Sequence, residues 1–195
     1  LEIIDKYGID QLRYYLVKEV SLGNDGSISL ENLKNCINND LANNYGNLCQ
    51  RVFSFIKKNC GNKIPISSKL NKSDKKLLDN LKNSLPKLIS LMNNQELNEY
   101  IKKVVSFSFD ANKYFNDSEP WAVKKKDPER MNSILFTIVE QIKNISILLN
   151  PIIPNATNRV LTMINISTEN ISIDKIKDGN ILNNEKDIGN LKILF

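Results

Sequence analysis

The chain has 195 residues, a formal net charge of +5 from 27 Lys and Arg against 22 Asp and Glu, and 41% hydrophobic residues; that is enough to bury a substantial core in one domain with an appendage. No apolar run reaches the roughly 20 residues that span a bilayer, and the opening Leu1-Glu2-Ile3-Ile4-Asp5 has neither a basic signal region nor a starting methionine, so it reads as a cut from a longer polypeptide. There is no histidine, and Cys36, Cys49 and Cys60 show no Cys-x-x-Cys spacing, which removes zinc and disulfide frameworks and leaves small hydrophobes in a reducing cytosol.

Residues 1 to 20 read as two short helices, with Gly8 closing the first and Asp10 as N-cap of a second from Gln11 to Val20. Gly23-Asn24-Asp25-Gly26 is a turn cluster, and residues 27 to 29 lead extended into an N-cap at Ser29, with Glu31 suiting the helix dipole. From there Leu30, Leu33, Ile37, Leu41, Tyr45, Leu48, Val52 and Phe55 recur at steps of three and four. They predict one long α-helix to about Lys58, capped by Gly61. Its other face carries Asn43, Asn44, Asn47, Gln50, Arg51 and Ser54, which are expected to face solvent. Gly46 inside this helix either lets another helix pack closely or leaves room for a ligand beside Asn47.

Ser73 is the expected cap of the next helix, whose apolar positions are Leu77, Leu78, Leu81, Leu85, Leu88, Ile89 and Met92; Pro86 should kink or break it near Ser84. A third long helix carries Leu97, Tyr100, Ile101, Val104, Val105, Ser108, Ala111, Tyr114 and Phe115, and stops near Asn116-Asp117-Ser118. Pro120 and Pro128 each stand at a helix start, so Trp121 falls on a short segment between long helices. A fourth helix runs from Pro128 to Leu149, Pro151 and Pro154 turn the chain, and a fifth spans Asn155 to Ile164. Beyond Ile166 the periodicity dissolves into an extended tail that can fold back through Ile193, Leu194 and Phe195. The fold expected is all-α, an up-and-down bundle with Leu41, Leu48, Val52, Val104, Ile138 and Ile142 in its core.

With no histidine, no Gly-rich phosphate loop and no carboxylate pair framed by a nucleophile, these residues carry no catalytic constellation. They do carry a base-reading kit. Asn47 and Arg51 are spaced i, i+4, which leaves them about 40° apart around the helix. An amide and a guanidinium can hydrogen-bond a base edge, and an aromatic plane can stack on the base. A sole Trp is commonly a core residue, and a helical Arg commonly lays its stem over apolar surface. The Pro-Trp setting beside Lys124-Lys125-Lys126 favours an exposed platform, although such a lysine run is also an ordinary solvated face.

Three ordered blocks resemble the anticodon-binding domain of the methionyl-tRNA synthetase family. They are Asn39-Asp40-Leu41-Ala42-Asn43 with Gly46-Asn47-Leu48 and Arg51; Ala111-Asn112-Lys113-Tyr114 through Glu119-Pro120-Trp121; and Leu149-Asn150-Pro151-Ile152-Ile153-Pro154. The resemblance covers residues 1 to 166. It implies that Trp121 stacks on the first anticodon base, a cytosine, while Asn47 and Arg51 bond its edge, with Pro120 matching and Lys124 as an RNA contact. It further implies a class I ligase as parent, cytoplasmic and acting in protein biosynthesis, whose N-terminal catalytic domain holds ATP and Mg outside these residues. The chain alone is then inactive, with no cofactor or metal of its own. The partners implied are tRNA, through the methionine and initiator anticodon loops, and that catalytic domain in cis, with no membrane. The domains expected are a linker over 1–28, the helical anticodon-binding domain over 29–166, and a tail over 167–195. Two alternatives remain: a helical protein-protein interaction domain with Trp121 in a docking patch, and the anticodon domain of a leucine-, isoleucine- or valine-type synthetase.

Overall fold

The computed structural model describes residues 2–19, 29–67, 69–167, 169, 171–179, 182, 186–190, 194 and 195. The turn cluster at Gly23 to Gly26, the approach at residues 27 and 28, and Ile193 lie outside the described residues. Within them there is no strand, and the all-α expectation holds.

The first helix, α1 (Glu2–Tyr7), closes at Gly8 with φ +91°, and α2 (Ile9–Glu19) follows. Asp10 is not the cap of α2, which begins one residue earlier. Its carboxylate is buried and caps a helix 146 positions away: Oδ2 accepts the Ala156 N–H at 2.8 Å and Oδ1 accepts from Asn155 Nδ2 at 3.2 Å. Those donors belong to the first turn of α9 (Pro154–Met163), whose early N–H groups have no intrahelical partner. Arg13 completes the clasp, donating through Nε to Ile152 O and through Nη2 to Pro151 O, each at 2.9 Å.

The single long α-helix expected after Ser29 is a composite of α3 (Leu30–Cys36), a π-helical segment (Ile37–Gly46) and α4 (Asn47–Asn59). Ser29 caps α3 as expected, accepting the Asn32 N–H. The change of winding has a reason in the spacing. Leu33, Ile37, Leu41 and Tyr45 follow in steps of four, and each such step drifts about 40° around an α-helix. Hydrogen bonds of i→i+5 type under-wind the later steps and turn them back, so all four residues are buried. The same winding carries Asn44 inward, against expectation, where its Oδ1 accepts from Asn112 Nδ2 at 2.9 Å. Leu30, counted in the apolar stripe, is 53% exposed at the helix start.

Asn71, not Ser73, caps α5 (Lys72–Asn93), in a capping box with Asp74. The helix continues through Pro86 without the expected break: Leu81, Leu85, Leu88 and Leu91 are buried on both sides of it, and Pro86 itself is exposed. Burying each Leu contributes about 1.5 to 3 kcal/mol, which together outweighs the roughly 3 kcal/mol of an internal Pro. Then come α6 (Leu97–Ser118), the one-turn α7 (Pro120–Val123) and α8 (Pro128–Leu149). Every residue of α8 from Ser133 to Leu149 is buried, because α4, α5, α6, α7, α9 and the short α10 (Ile173–Asp178) all pack on it. This helix, more than the α3 to α4 composite, is the axis of the bundle. The expected core residues Leu41, Leu48, Val52, Val104, Ile138 and Ile142 are all fully buried.

One feature corrects the expected extended tail: it contains α10. Its later part folds back onto the bundle, as expected through Leu194. Ile188 N–H bonds Asn62 O and Gly189 N–H bonds Met163 O, while Leu194 is buried with its carbonyl accepting from Arg159 Nη2 at 3.0 Å.

Candidate nucleic-acid interface

α4 presents Asn47 and Arg51 one turn apart, Asn47 exposed and Arg51 half-buried. The guanidinium is positioned from below and from the side: its carbon lies 5.3 Å from the centre of the Phe115 ring, and Nη2 donates to Asn116 Oδ1 at 2.6 Å. Asn116 takes one of the five N–H donors of a guanidinium. Phe115 is itself 2% exposed, a floor rather than a contact surface.

Trp121 stands on the same floor. Its ring meets Phe115 edge-on, with centroids 5.7 Å apart and planes at 79°, and the side chain is 42% exposed. The local backbone explains how a Trp at the end of a long helix is presented this way. Glu119 ends α6 in the left-handed region, φ +42°, which turns the chain sharply, and Pro120 opens α7 with its φ already helical. Pro120 is buried and anchors the turn. Lys124 Nζ donates to Asn59 Oδ1 at 3.0 Å, which ties the exit of α7 to the C-terminal end of α4 where a cation suits the helix dipole. Lys125 and Lys126 beside it are exposed.

The structure therefore brings Arg51 and Trp121 onto one ring and places Asn47 one turn along from Arg51. Asn47 also borders something that sequence reasoning did not find, an open slot of about 240 Å³ between Gly46, Gln50 and Phe195. Phe115 and Asn116 were missed as well. Their positions in the α6 stripe signalled only a core residue and a helix end. A larger groove of about 800 Å³ between α5 and α6 holds none of the expected site residues and mixes Lys76 and Lys113 with Asp79, Asp110 and Asp117. Behind it, Arg130 grips the buried Asp74 through both nitrogens, and Tyr114 Oη donates to Asp74 Oδ1 at 2.6 Å. Burial pushes the Asp74 carboxyl up, but the bonds from Arg130, Tyr114 and the Asn71 N–H outweigh it and hold the group below the usual carboxylate range. Among the described residues no group of three or more His, Cys, Asp or Glu side chains is placed to hold a metal ion, and no helix is long and apolar enough to cross a membrane.

The described residues form an all-α bundle that sets Arg51 and Trp121 on one buried ring, with Asn47 one turn along from Arg51. The family described as the anticodon binding domain of methionyl tRNA ligase matches residues 64–194, and the family described as tRNA synthetases class I (M) matches residues 1–53. The methionine–tRNA ligase of Brucella suis biovar 1 (strain 1330) is 38% identical over 168 residues, 86% of this chain and 33% of that protein. That of Rickettsia felis is 35% identical over 172 residues, 87% of this chain and 34% of that protein. The crystal structure of apo Mycobacterium tuberculosis methionyl-tRNA synthetase superimposes with a TM-score of 0.92 at 27% identity, covering 100% of this chain and 40% of that one. The chain belongs to the family of methionyl-tRNA ligase anticodon-binding domains. It spans about a third of the length of the curated relatives it matches, and neither the interaction-domain nor the leucine-, isoleucine- or valine-type alternative is favoured by these matches.

Proposed function

We propose that this chain reads the anticodon loop of methionine tRNAs, initiator included, on behalf of a methionine–tRNA ligase. Trp121 stacks on the splayed first anticodon base, a cytosine, and Asn47 and Arg51 hydrogen-bond its edge. Pro120 fixes the turn that presents the indole, and Lys124 with its neighbours approaches phosphates. Loop bases are the natural targets of such a site, because only unstacked bases offer both a face and an edge. The observation that carries the reading is that Arg51 and Trp121, far apart in sequence, rest on the same buried Phe115 ring while Trp121 keeps 42% of its surface exposed. Aminoacylation itself, with ATP and magnesium, belongs in this reading to a catalytic domain outside these residues, and the work is cytoplasmic.

The test is binding of the chain to anticodon stem-loops that differ only at the first anticodon base. The cytosine loop should bind about tenfold more tightly than the others, the discrimination expected of a well-made edge contact. Its affinity should fall with salt by a logarithmic slope of about 0.7 per phosphate contacted. Equal affinity for all four loops, or binding indifferent to salt, overturns the reading.

A further inference from the structure

Asn112 belongs to the second of the ordered sequence blocks, and the first-base reading leaves it without a task. It is half-buried on α6, one turn before Asn116. Its Nδ2 donates to Asn44 Oδ1 at 2.9 Å, to Asn44 O at 3.2 Å and to Ser108 O at 3.1 Å. The Asn44 carbonyl stands where the π-helical segment gives way to α4. There the Asn47 N–H bonds both to Ala42 O, five residues back, and to Asn44 O, three residues back. One carbonyl thus accepts from the side chain of Asn112 and from the backbone of Asn47, which occupies both of its lone pairs.

Two opposed effects meet at this junction. Burial of Leu33, Ile37, Leu41 and Tyr45 favours π winding, and the buried amide of Asn44 opposes it. Among the described residues Asn44 Nδ2 has no hydrogen-bond partner, nor has the buried Ser108 Oγ, and a buried polar group without a bond is costly. Winding the segment as α-helix instead turns Asn44 toward water, and it turns the residues that follow about the helix axis, Asn47 among them. Asn112 resists that change, because its bonds to Asn44 are made to an inward-facing residue. Helix α6 supports the reading face of α4 at two points: Asn116 accepts from Arg51, and Asn112 bonds the carbonyl that receives the Asn47 N–H. The two supports are four residues apart, as are the two residues they support.

We propose that Asn112 is a positioning residue for base recognition, which holds the Asn44 carbonyl where π winding gives way to α winding and so fixes the direction in which Asn47 leaves the helix. The inference rests on the anticodon-loop reading and deepens it. Asn112 touches no RNA in this scheme. It acts through Asn47, whose amide must meet a base edge in one orientation to tell cytosine from the other bases.

The test pairs titration of the four anticodon stem-loops with amide hydrogen exchange of the whole chain, read residue by residue by NMR. In the unaltered chain the Asn47 amide should be protected although its side chain is exposed; unprotected exchange there overturns the proposal without any variant. In Asn112→Ala the Asn47 amide should exchange about tenfold faster or more while the Arg51 amide is unchanged, the mark of a local opening. The preference for cytosine should fall from about tenfold to about threefold or less, the size of one lost hydrogen bond. The salt dependence of binding should stay as it was, since no phosphate contact is touched. Asn112→Asp, which keeps the shape and gives up both N–H donors, should behave alike. Asn44→Ala leaves the carbonyl bond in place and should keep the preference; losing it as fully as Asn112→Ala does would overturn the proposal. An Asn112→Ala chain that weakens all four loops equally, or that retains the cytosine preference, also overturns it while the anticodon-loop reading stands. If the unaltered chain shows no cytosine preference, both fall together.

Discussion

Arg51 lies over Phe115, its guanidinium carbon 5.3 Å from the ring centre, and that ring is the one against which Trp121 stands edge-on. A residue that is 2% exposed thus positions two residues expected to meet RNA. Phe115→Leu keeps the site apolar but leaves part of a cavity, at a stability cost of about 1 to 3 kcal/mol. It removes the flat support, so discrimination of the first anticodon base should fall while helicity by circular dichroism is unchanged. Unaltered discrimination would show that Arg51 and Trp121 are placed by their own backbones alone.

Trp121→Ala removes an exposed platform at little cost to the fold. Stacking is worth about 1 to 3 kcal/mol per base, so affinity for a methionine anticodon stem-loop should drop roughly 5- to 150-fold. Arg51→Ala should act mainly on base identity, because edges carry identity. Titrations of the four loops with each variant separate the two effects, and a Trp121→Ala chain that binds normally sinks the stacking role.

Asp74 and Arg130 supply a prediction about acid stability. The Asp74 carboxyl sits below its ordinary value of about 4, so its contribution is fully present above that pH and is lost as pH falls through the lower folded value. Arg130→Met leaves a buried carboxylate without its main partner. It should cost about 3 kcal/mol, the lower end for a broken buried pair since Arg130 is 22% exposed. Without Arg130 the folded value of Asp74 rises, so denaturant unfolding should show the variant's deficit largest near neutral pH and shrinking in acid as the carboxyl protonates.

The alkaline limb has a different origin. Burial pushes the phenols of Tyr14, Tyr45, Tyr100 and Tyr114 up, with Asp40 adding to the shift at Tyr14 and Asp74 at Tyr114. A raised folded value means stability that is complete below the unfolded value of about 10 and falls as pH rises beyond it. Absorbance of tyrosinate should therefore rise for these four only together with loss of helicity. Their ionisation in a still-helical chain would contradict the packing described for them.

Inside α8, the side-chain amide of Gln141 is buried with neither its nitrogen nor its oxygen bonded to a described group. Gln141→Met keeps length and removes the unpartnered amide, so it should raise stability by about 1 kcal/mol. A lower thermal midpoint would mean that the amide is served in solution, for instance by ordered water.

What the sequence determined by itself was local. A stripe at steps of three and four is a property of neighbours along the chain, and it placed every long helix and the core residues from Leu41 to Ile142. Ordered motifs singled out Asn47, Arg51 and Trp121 for the same reason, since each lies in a short contiguous block. What the tertiary structure decided was which groups meet. A carboxylate at a helix start looks like a cap whether it serves its own helix or another, and only packing sends Asp10 to the N–H of Ala156. Steps of four are compatible with α winding until the burial of Leu33, Ile37, Leu41 and Tyr45 together demands a π segment. The Phe115 ring beneath Arg51 and the Phe195 ring over Gly46 come from residues distant in sequence. Periodicity reports which face of a helix is apolar, whereas the partner of that face is chosen by the free energy of burying it against the rest of the chain.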